Sequence, residues 1–215
     1  MSPTRLVLVR HGQTDWNLTA RFQGQADVGL NDTGVQQAQR AAPHVAAFGP
    51  TAVLSSPLQR ASLTAQYIAD ACGIDVVQTD PRLEEINVGT WAGESLTDIR
   101  QQHPWMDEAL RQGRDFRRSD TGETGAELAE RVGASLRDIA DAFAGQTVAV
   151  VSHGMALRYG MLAVLGWDSS IAVGLAGLFN ASWSVIEHRE LWKLVTYNNV
   201  APEADNPTLP SLSSP

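Results

Sequence analysis

Two histidines and two arginines stand at points of the sequence where their side chains could act on a phosphoryl group. Arg10 and His11 follow one apolar run, Arg60 comes shortly after a second, and His153 follows a third. Guanidinium groups match phosphoryl oxygens, and a neutral histidine can attack phosphorus when a hydrogen bond holds its other ring nitrogen. The set therefore predicts an oxyanion site with a nucleophilic histidine beside it.

The apolar runs predict the fold that positions these residues. Residues 5–9, 51–54 and 147–151 are rich in Val and Leu and lack clean alternation, which is typical of buried parallel strands. Their alternation with helical patterns predicts an α/β fold of three layers, α/β/α, with a mainly parallel central sheet. Ligands bind such sheets at the carboxyl ends of the strands, where the arginines and histidines converge. The predicted helices cover residues 31–48, 56–72, 122–144 and 153–165, and a predicted hairpin covers 182–188 and 191–197.

The composition limits the class of protein and its partners. The chain has 215 residues, 43% hydrophobic and 19% charged, which predicts a single domain over residues 1–200 and an irregular Pro- and Ser-rich tail over 201–215. A formal net charge of −8 argues against nucleic acid, whose phosphate backbone requires a broad basic face. A small phosphorylated metabolite needs only a few cations in one pocket. No apolar stretch approaches the roughly 20 residues that cross a bilayer, so we expect a cytoplasmic protein without membrane contact.

The segments around these residues resemble the motifs of the histidine phosphatase superfamily, also called the phosphoglycerate mutase-like proteins. They occur in the family's order and span residues 6 to about 182, and the fold that they imply is the phosphoglycerate mutase-like α/β/α fold. The matching segments are 8–14 (LVRHGQT) with Asn17, 21–24 (RFQG), 55–61 (SSPLQRA), 83–86 (LEEI) followed by Gly89, Trp91 and Gly93, and 152–154 (SHG).

The resemblance implies that His11 is the nucleophile and that several matched residues hold the phosphoryl oxygens. Glu85 rather than Glu84 falls at the family's proton-donor position, because the pattern places the carboxylate immediately before the apolar residue and four before the glycine. The family's chemistry uses no metal and implies no cofactor. The residues that would hold the phosphoryl group are Arg10, Asn17, Gln23, Gly24, Arg60 and His153.

Two other classes of protein fit part of this set. Two histidines and a carboxylate also fit a facial triad for Fe(II) or another divalent ion, although Arg10 and Arg60 would repel the metal. A phosphate-binding module that kept the fold without catalysis is the second alternative, and the complete set of nucleophile, clamp and proton donor argues against it. The sequence thus predicts a phosphomonoester hydrolase that acts on a small phosphorylated metabolite through a phosphohistidine.

Within the family, the alternative is a cofactor-dependent phosphoglycerate mutase. Mutases carry a long insertion before the final histidine motif, whereas this chain passes almost directly from residues 116–119 to 122–124. Met155 also stands where mutases commonly have asparagine. Both differences favour hydrolysis in a more open site. Residues 180–183 (NASW) and the chain length resemble the glucosyl-3-phosphoglycerate phosphatases, and the substrate stays open.

A basic run of Arg111, Arg114, Arg117 and Arg118 lies between the acid/base motif and the longest predicted helix. Such a run is either a solvated face or a lid over the pocket. In the second case, Arg117 and Arg118 would bind a carboxylate or a second phosphate of the substrate. The sequence does not fix the oligomeric state, and a homodimer is compatible with it.

Overall fold

A six-stranded sheet forms the centre of the computed structural model, which describes residues 2–202. The strands are β1 (Thr4–Arg10), β2 (Ala52–Ser55), β3 (Val77–Thr79), β4 (Thr147–Ser152), β5 (Trp183–His188) and β6 (Trp192–Asn199). Their order is β3-β2-β4-β1-β5-β6, and the first four are parallel while the hairpin β5-β6 is antiparallel. The predicted mainly parallel sheet is confirmed, with β3 as a short edge strand that the sequence analysis did not find.

Helices cover both faces of this sheet, as predicted. Leu6 and Leu8 of β1 pack in the same core as α6 and α7, whereas Val7 and Val9 pack with α2 and α3. Because both faces are covered, the central strands are apolar throughout rather than alternating. The described helices are α1 (Asp15–Leu18), α2 (Asp32–Ala46), α3 (Gln59–Cys72), α4 (Leu96–Gln102), α5 (Trp105–Arg111), α6 (Gly125–Ala142) and α7 (Gly154–Leu165).

Capping residues explain where the helices begin. Asn31 caps α2 by accepting from the Gly34 N–H, and Thr124 caps α6 in a reciprocal pair with Glu127. The helix predicted from Ser56 begins instead at Gln59. The Ser56 hydroxyl accepts from the Leu58 N–H before the helix starts and also contacts a ring nitrogen of His153, so it serves the site rather than a helix cap.

The C-terminal part of the chain contains the predicted hairpin and the predicted tail. The predicted hairpin forms β5 and β6, and β5 joins the sheet beside β1 with Val7 opposite Val185. Of the predicted tail over 201–215, residues 203–215 lie outside the described residues. Among residues 2–202, no helix is both long and apolar enough to cross a membrane.

Candidate active site

The predicted residues meet at the carboxyl ends of the parallel strands. Arg10 ends β1 opposite Ser152 of β4, so His11 and His153, the next residue of each chain segment, lie side by side with ring centroids 5.1 Å apart. A cavity of about 160 Å³ opens at this edge. Its lining residues are Arg10, His11, Asn17, Arg21, Phe22, Gln23, Gly24, Arg60, Glu85, Ile86, Val88 and Met155.

His11 is held as a neutral ring with one free nitrogen. Its Nδ1 lies 2.6 Å from the Gly12 carbonyl oxygen, and because a carbonyl can only accept, Nδ1 carries the proton. Burial lowers the pKa of His11 well below its usual value, and the charges of Arg10 and Arg60 lower it further. The lone pair therefore stays on Nε2, which is the nitrogen that can attack an electrophile.

Two glycines make this turn compact enough to orient the ring. A Cβ at Gly12 would overlap the Gly34 carbonyl, and a Cβ at Gly34 would overlap the Gln13 backbone. The turn after β1 therefore packs directly against the first turn of α2, backbone on backbone. The Gly12 carbonyl that accepts from His11 is fixed by this packing.

Arg60 is fully buried and is aimed by backbone carbonyls. Its guanidinium donates to Ala26 O and Gly24 O, both at 2.7 Å, and its Nε donates to His153 Nδ1 at 3.2 Å. Burial lowers the pKa of Arg60 to about 10, while Glu85 and Asp27 raise it, so the group is cationic at neutral pH. Arg60 thus ties the 24–26 loop to the histidine pair.

His153 lies beside His11 and contacts Arg60 and Ser56. Since its Nδ1 accepts from Arg60, its proton is on Nε2, which lies 2.8 Å from Ser56 Oγ. Burial, followed by the charge of Arg60, lowers the pKa of His153 well below its usual value. Both ring nitrogens have protein partners here, so contact with the phosphoryl oxygens stays a prediction for His153.

Arg10 offers a donor to a bound anion. One of its terminal nitrogens donates to the Leu178 carbonyl, which anchors the guanidinium. Its Nε is buried and has no hydrogen-bond partner among residues 2–202. A buried donor without a partner costs free energy, so an oxyanion at this point would remove the cost.

Asn180 is a site residue that the sequence analysis did not assign. Its Nδ2 donates to Asn17 Oδ1 at 3.3 Å and to the His11 carbonyl at 3.2 Å. Asn17 Oδ1 also accepts from the Thr14 N–H, so the oxygen side of this amide is occupied and its Nδ2 is the side left for a ligand oxygen. The sequence points to residues 180–183 only through their resemblance to a phosphatase segment, because a lone asparagine carries no spacing signal.

Glu85, not Glu84, is the carboxylate on the cavity. It accepts from the Met155 and Ala156 N–H groups at 3.1 and 2.9 Å, so the first turn of α7 aims it beside the histidines. Glu84 is not among the described residues that line the cavity. Burial raises the pKa of Glu84, opposed by the charge of Arg131.

Comparison with known proteins agrees with this geometry. The family model described as histidine phosphatase superfamily (branch 1) matches residues 6–200. The chain belongs to the histidine phosphatase superfamily. Among curated proteins, it is 37% identical over 186 residues to the probable phosphoglycerate mutase GpmB of Yersinia pestis, covering 86% of each chain.

Solved structures of this superfamily are also similar to the chain. The vanadate complex of a mycobacterial glucosyl-3-phosphoglycerate phosphatase has a TM-score of 0.84 at 32% identity, covering 90% of this chain and 98% of that one. A phosphoserine phosphatase from Entamoeba histolytica has a TM-score of 0.81 at 28% identity, covering 91% and 97%. Phosphatases and a probable mutase are thus both among the relatives.

The structure does not bring Arg117 and Arg118 to the cavity of this superfamily member. Arg117 pairs with Glu127 at 2.6 Å, and Arg118 is buried, pairs with Asp115 at 3.0 Å and stacks over Phe116. Both guanidiniums are bound by carboxylates that are not among the described residues lining the cavity, so the structure does not support a lid in which they bind the substrate. Arg21 does line the cavity, together with Arg10 and Arg60, and its guanidinium donates to Gly93 O at 2.6 Å.

The metal-binding alternative also has a geometric test. Among residues 2–202, no three His, Cys, Asp or Glu side chains are grouped so that they could hold a metal ion. His11, His153 and Glu85 each direct at least one polar atom to a protein partner instead.

Lowering the pH below about 6.5 should destabilise the fold, because His11 and His153 are buried as neutral rings. The unfolded chain then binds more protons than the folded one, so the free energy of unfolding falls by up to about 1.4 kcal/mol per pH unit for each ring. The stabilisation is fully present above pH 6.5 and is lost as the pH falls towards the folded pKa values. Urea unfolding measures the free energy of unfolding at each pH, and its dependence on pH should be weaker for His11→Gln than for the wild type. An unchanged pH dependence would contradict a His11 ring that is buried and neutral.

Proposed function

We propose that the chain is a metal-independent phosphomonoester hydrolase that passes the phosphoryl group of a small phosphorylated metabolite to His11 and then to water. The observation that carries the proposal is the 2.6 Å hydrogen bond from His11 Nδ1 to Gly12 O, which leaves Nε2 unprotonated beside the buried Arg60 and the half-buried Arg10. A neutral imidazole nitrogen can attack phosphorus, and adjacent cations stabilise the charge on the phosphoryl oxygens.

The first half-reaction forms a bond between His11 Nε2 and phosphorus while the bond to the leaving oxygen breaks. Glu85 gives its proton to that oxygen, which leaves as an alcohol. Arg10 and Arg60 offset the charge of the transferring group, and the Asn17 amide adds a donor. The products are a phosphohistidine, the alcohol and a Glu85 carboxylate.

The second half-reaction uses the same residues in reverse roles. The Glu85 carboxylate takes a proton from water, and the water oxygen attacks phosphorus as the bond to Nε2 breaks. His11 recovers its neutral ring, Glu85 recovers its proton, and inorganic phosphate leaves. The two backbone N–H groups of α7 that Glu85 contacts keep its carboxyl group at the cavity through both steps.

The cations of the cavity favour hydrolysis over mutase activity. Among the described residues that line it, the cationic ones are Arg10, Arg21 and Arg60. Arg10 and Arg60 bind the phosphoryl group that is transferred, so Arg21 is the cation left to bind the rest of the substrate. A mutase must also retain a bisphosphorylated cofactor, with a second phosphate and a carboxylate to neutralise. The similar phosphatase structures support hydrolysis, whereas the relative named as a probable phosphoglycerate mutase makes mutase activity the second candidate.

Activity should survive an excess of chelator, because no step of this mechanism needs a metal ion. The assay measures inorganic phosphate from sugar phosphates, phosphoglycerates and their glucosyl esters, with and without chelator. Phosphate release should also exceed phosphoryl transfer between 3- and 2-phosphoglycerate in the presence of the bisphosphorylated cofactor. A chelator-induced loss that a divalent ion restores would contradict metal independence, and transfer faster than release would favour the mutase.

A further inference from the structure

The proton donor Glu85 stands on irregular backbone. Residues 84–88 lie between the short 3-10 turns Pro81–Leu83 and Gly89–Trp91 and have no helix or strand of their own. A general acid must lie within hydrogen-bond reach of the leaving oxygen, and a misplacement of about 1 Å can cost on the order of 100-fold in rate. The position of this loop must therefore be set by contacts from elsewhere in the fold.

Arg131 of α6, which is not among the described residues that line the cavity, makes several of these contacts. Its guanidinium donates to the carbonyls of Arg82 at 2.8 Å, Glu84 at 3.0 Å and Glu85 at 3.2 Å. It also forms a two-pronged pair with the Glu123 carboxylate at 2.9 and 2.8 Å. One side chain thus holds three carbonyls of the segment that ends at the proton donor.

Glu123 holds the other side of the same loop. Its Oε2 accepts from the Asn87 N–H at 2.8 Å, and its own N–H donates to the Asn87 carbonyl at 2.7 Å. The side chains of Arg131 and Glu123 are only 20% and 21% exposed, so their hydrogen bonds are partly shielded from water. Together the pair fixes the backbone on both sides of Glu85.

The segment around Glu123 packs against the loop without space between them. A Cβ at Gly122 would lie 2.6 Å from Asn87 O, and a Cβ at Gly89, whose φ is +54°, would overlap the Ser119 side chain. Ser119 Oγ donates to Val88 O at 2.9 Å. Residues 119–123, which follow the basic run, therefore pack directly against the loop of residues 84–88 that carries Glu85.

We propose that Arg131, together with Glu123, is a positioning residue for the general acid. The pair sets where the Glu85 carboxyl group lies relative to the leaving oxygen and does not touch the substrate. The inference rests on the proposed function, because it requires Glu85 to be the proton donor. Lysine cannot replace Arg131, since an ammonium has three donors at one nitrogen whereas the planar guanidinium spreads five across its fork.

The test compares Arg131→Met and Arg131→Lys with Arg137→Met. Arg137 lies on the same helix, and its guanidinium makes one long contact, at 3.4 Å, to Ala163 O, so it controls for loss of an arginine from α6. The assay is kcat/KM for an alkyl phosphate and for nitrophenyl phosphate, whose leaving group needs little proton help. Arg131→Met should lose about 10- to 100-fold on the alkyl ester and clearly less on nitrophenyl phosphate. Arg131→Lys should recover only part of the loss, and Arg137→Met should match the wild type.

A folded Arg131→Met whose losses are equal on both substrates would overturn the proposal, because that pattern indicates a purely structural role. If Arg131→Met does not fold, Arg131→Lys and Glu123→Gln carry the same comparison of leaving groups. A Glu85→Gln variant is measured alongside. If its loss depends on the leaving group and that of the Arg131 variants does not, the positioning role alone is wrong. If the loss in Glu85→Gln does not depend on the leaving group, the proton-donor assignment and the positioning role are both wrong.

Discussion

Replacing His11 by alanine is expected to abolish the covalent phosphoenzyme and to lower kcat by about 10⁴- to 10⁶-fold, the range for loss of a nucleophile in a hydrolase. The expectation follows from the ring's geometry. His11 Nε2 is the imidazole nitrogen on the cavity that keeps its lone pair, whereas both nitrogens of His153 have protein partners. Removing His11 therefore leaves the arginines able to bind phosphate without a group that can accept it.

Rapid quenching with a ³²P-labelled phosphomonoester measures this directly. Wild-type protein should carry an acid-labile, base-stable label, as expected for a phosphohistidine, and His11→Ala should carry none. His44→Ala is the matched control, because His44 stacks on Trp183 with ring centroids 5.6 Å apart and is not one of the described residues that line the cavity. The control should label normally. Covalent label in His11→Ala would show that another residue is the nucleophile.

The sequence could predict that the histidines and arginines of the site lie together, because their proximity depends on the parallel strands and not on details of side-chain packing. Buried parallel strands are recognisable as short Val- and Leu-rich runs, and their carboxyl ends must share one edge of the sheet. His11 and His153 are therefore expected side by side, and the parallel register of β1 with β4 brings their ring centroids to 5.1 Å from each other. Residues at strand ends are thus the ones that a sequence locates best.

Contacts across long separations could not be predicted in the same way. Arg131 is 46 positions from Glu85, and Asn180 is 163 positions from Asn17, so neither pair leaves a local pattern. The basic run shows the opposite problem. Its charge is visible, but the partners that bind Arg117 and Arg118 are Glu127 and Asp115, and only the fold shows that they turn these arginines away from the cavity.

Ser56 shows how a local signal can place a helix only approximately. Serine followed by proline is a good helix start, but α3 begins at Gln59, and Ser56 Oγ accepts from the Leu58 N–H at 3.3 Å before the helix starts. The same hydroxyl lies 2.8 Å from His153 Nε2, which makes it a link between the second and the last motif. Helix propensity can account only for the contact with the Leu58 N–H. The contact with His153 depends on the pairing of β2 with β4, which brings the two segments together.

Replacing Glu85 by glutamine is expected to lower kcat/KM for an alkyl phosphate by about 100- to 10,000-fold, the usual contribution of a general acid. Glutamine keeps the size of the side chain, and its single amide oxygen can still accept from the Ala156 N–H, so the side chain should stay at α7. The Met155 N–H donates to the other carboxylate oxygen of Glu85 and loses its acceptor in the variant. What glutamine lacks is a proton to give to the leaving oxygen. Nitrophenolate leaves with little proton help, so the loss in phosphoenzyme formation should shrink with nitrophenyl phosphate.

Glu84→Gln is the matched control, since it makes the same substitution one residue earlier on a side chain outside the described lining of the cavity. Its effect should be small on both substrates. Pre-steady-state measurement separates the two half-reactions, because Glu85→Gln should also slow hydrolysis of the phosphohistidine, where the carboxylate acts as a base. That second loss should be independent of the leaving group, which has already departed. Equal losses from Glu84→Gln and Glu85→Gln on both substrates would move the proton-donor role away from Glu85.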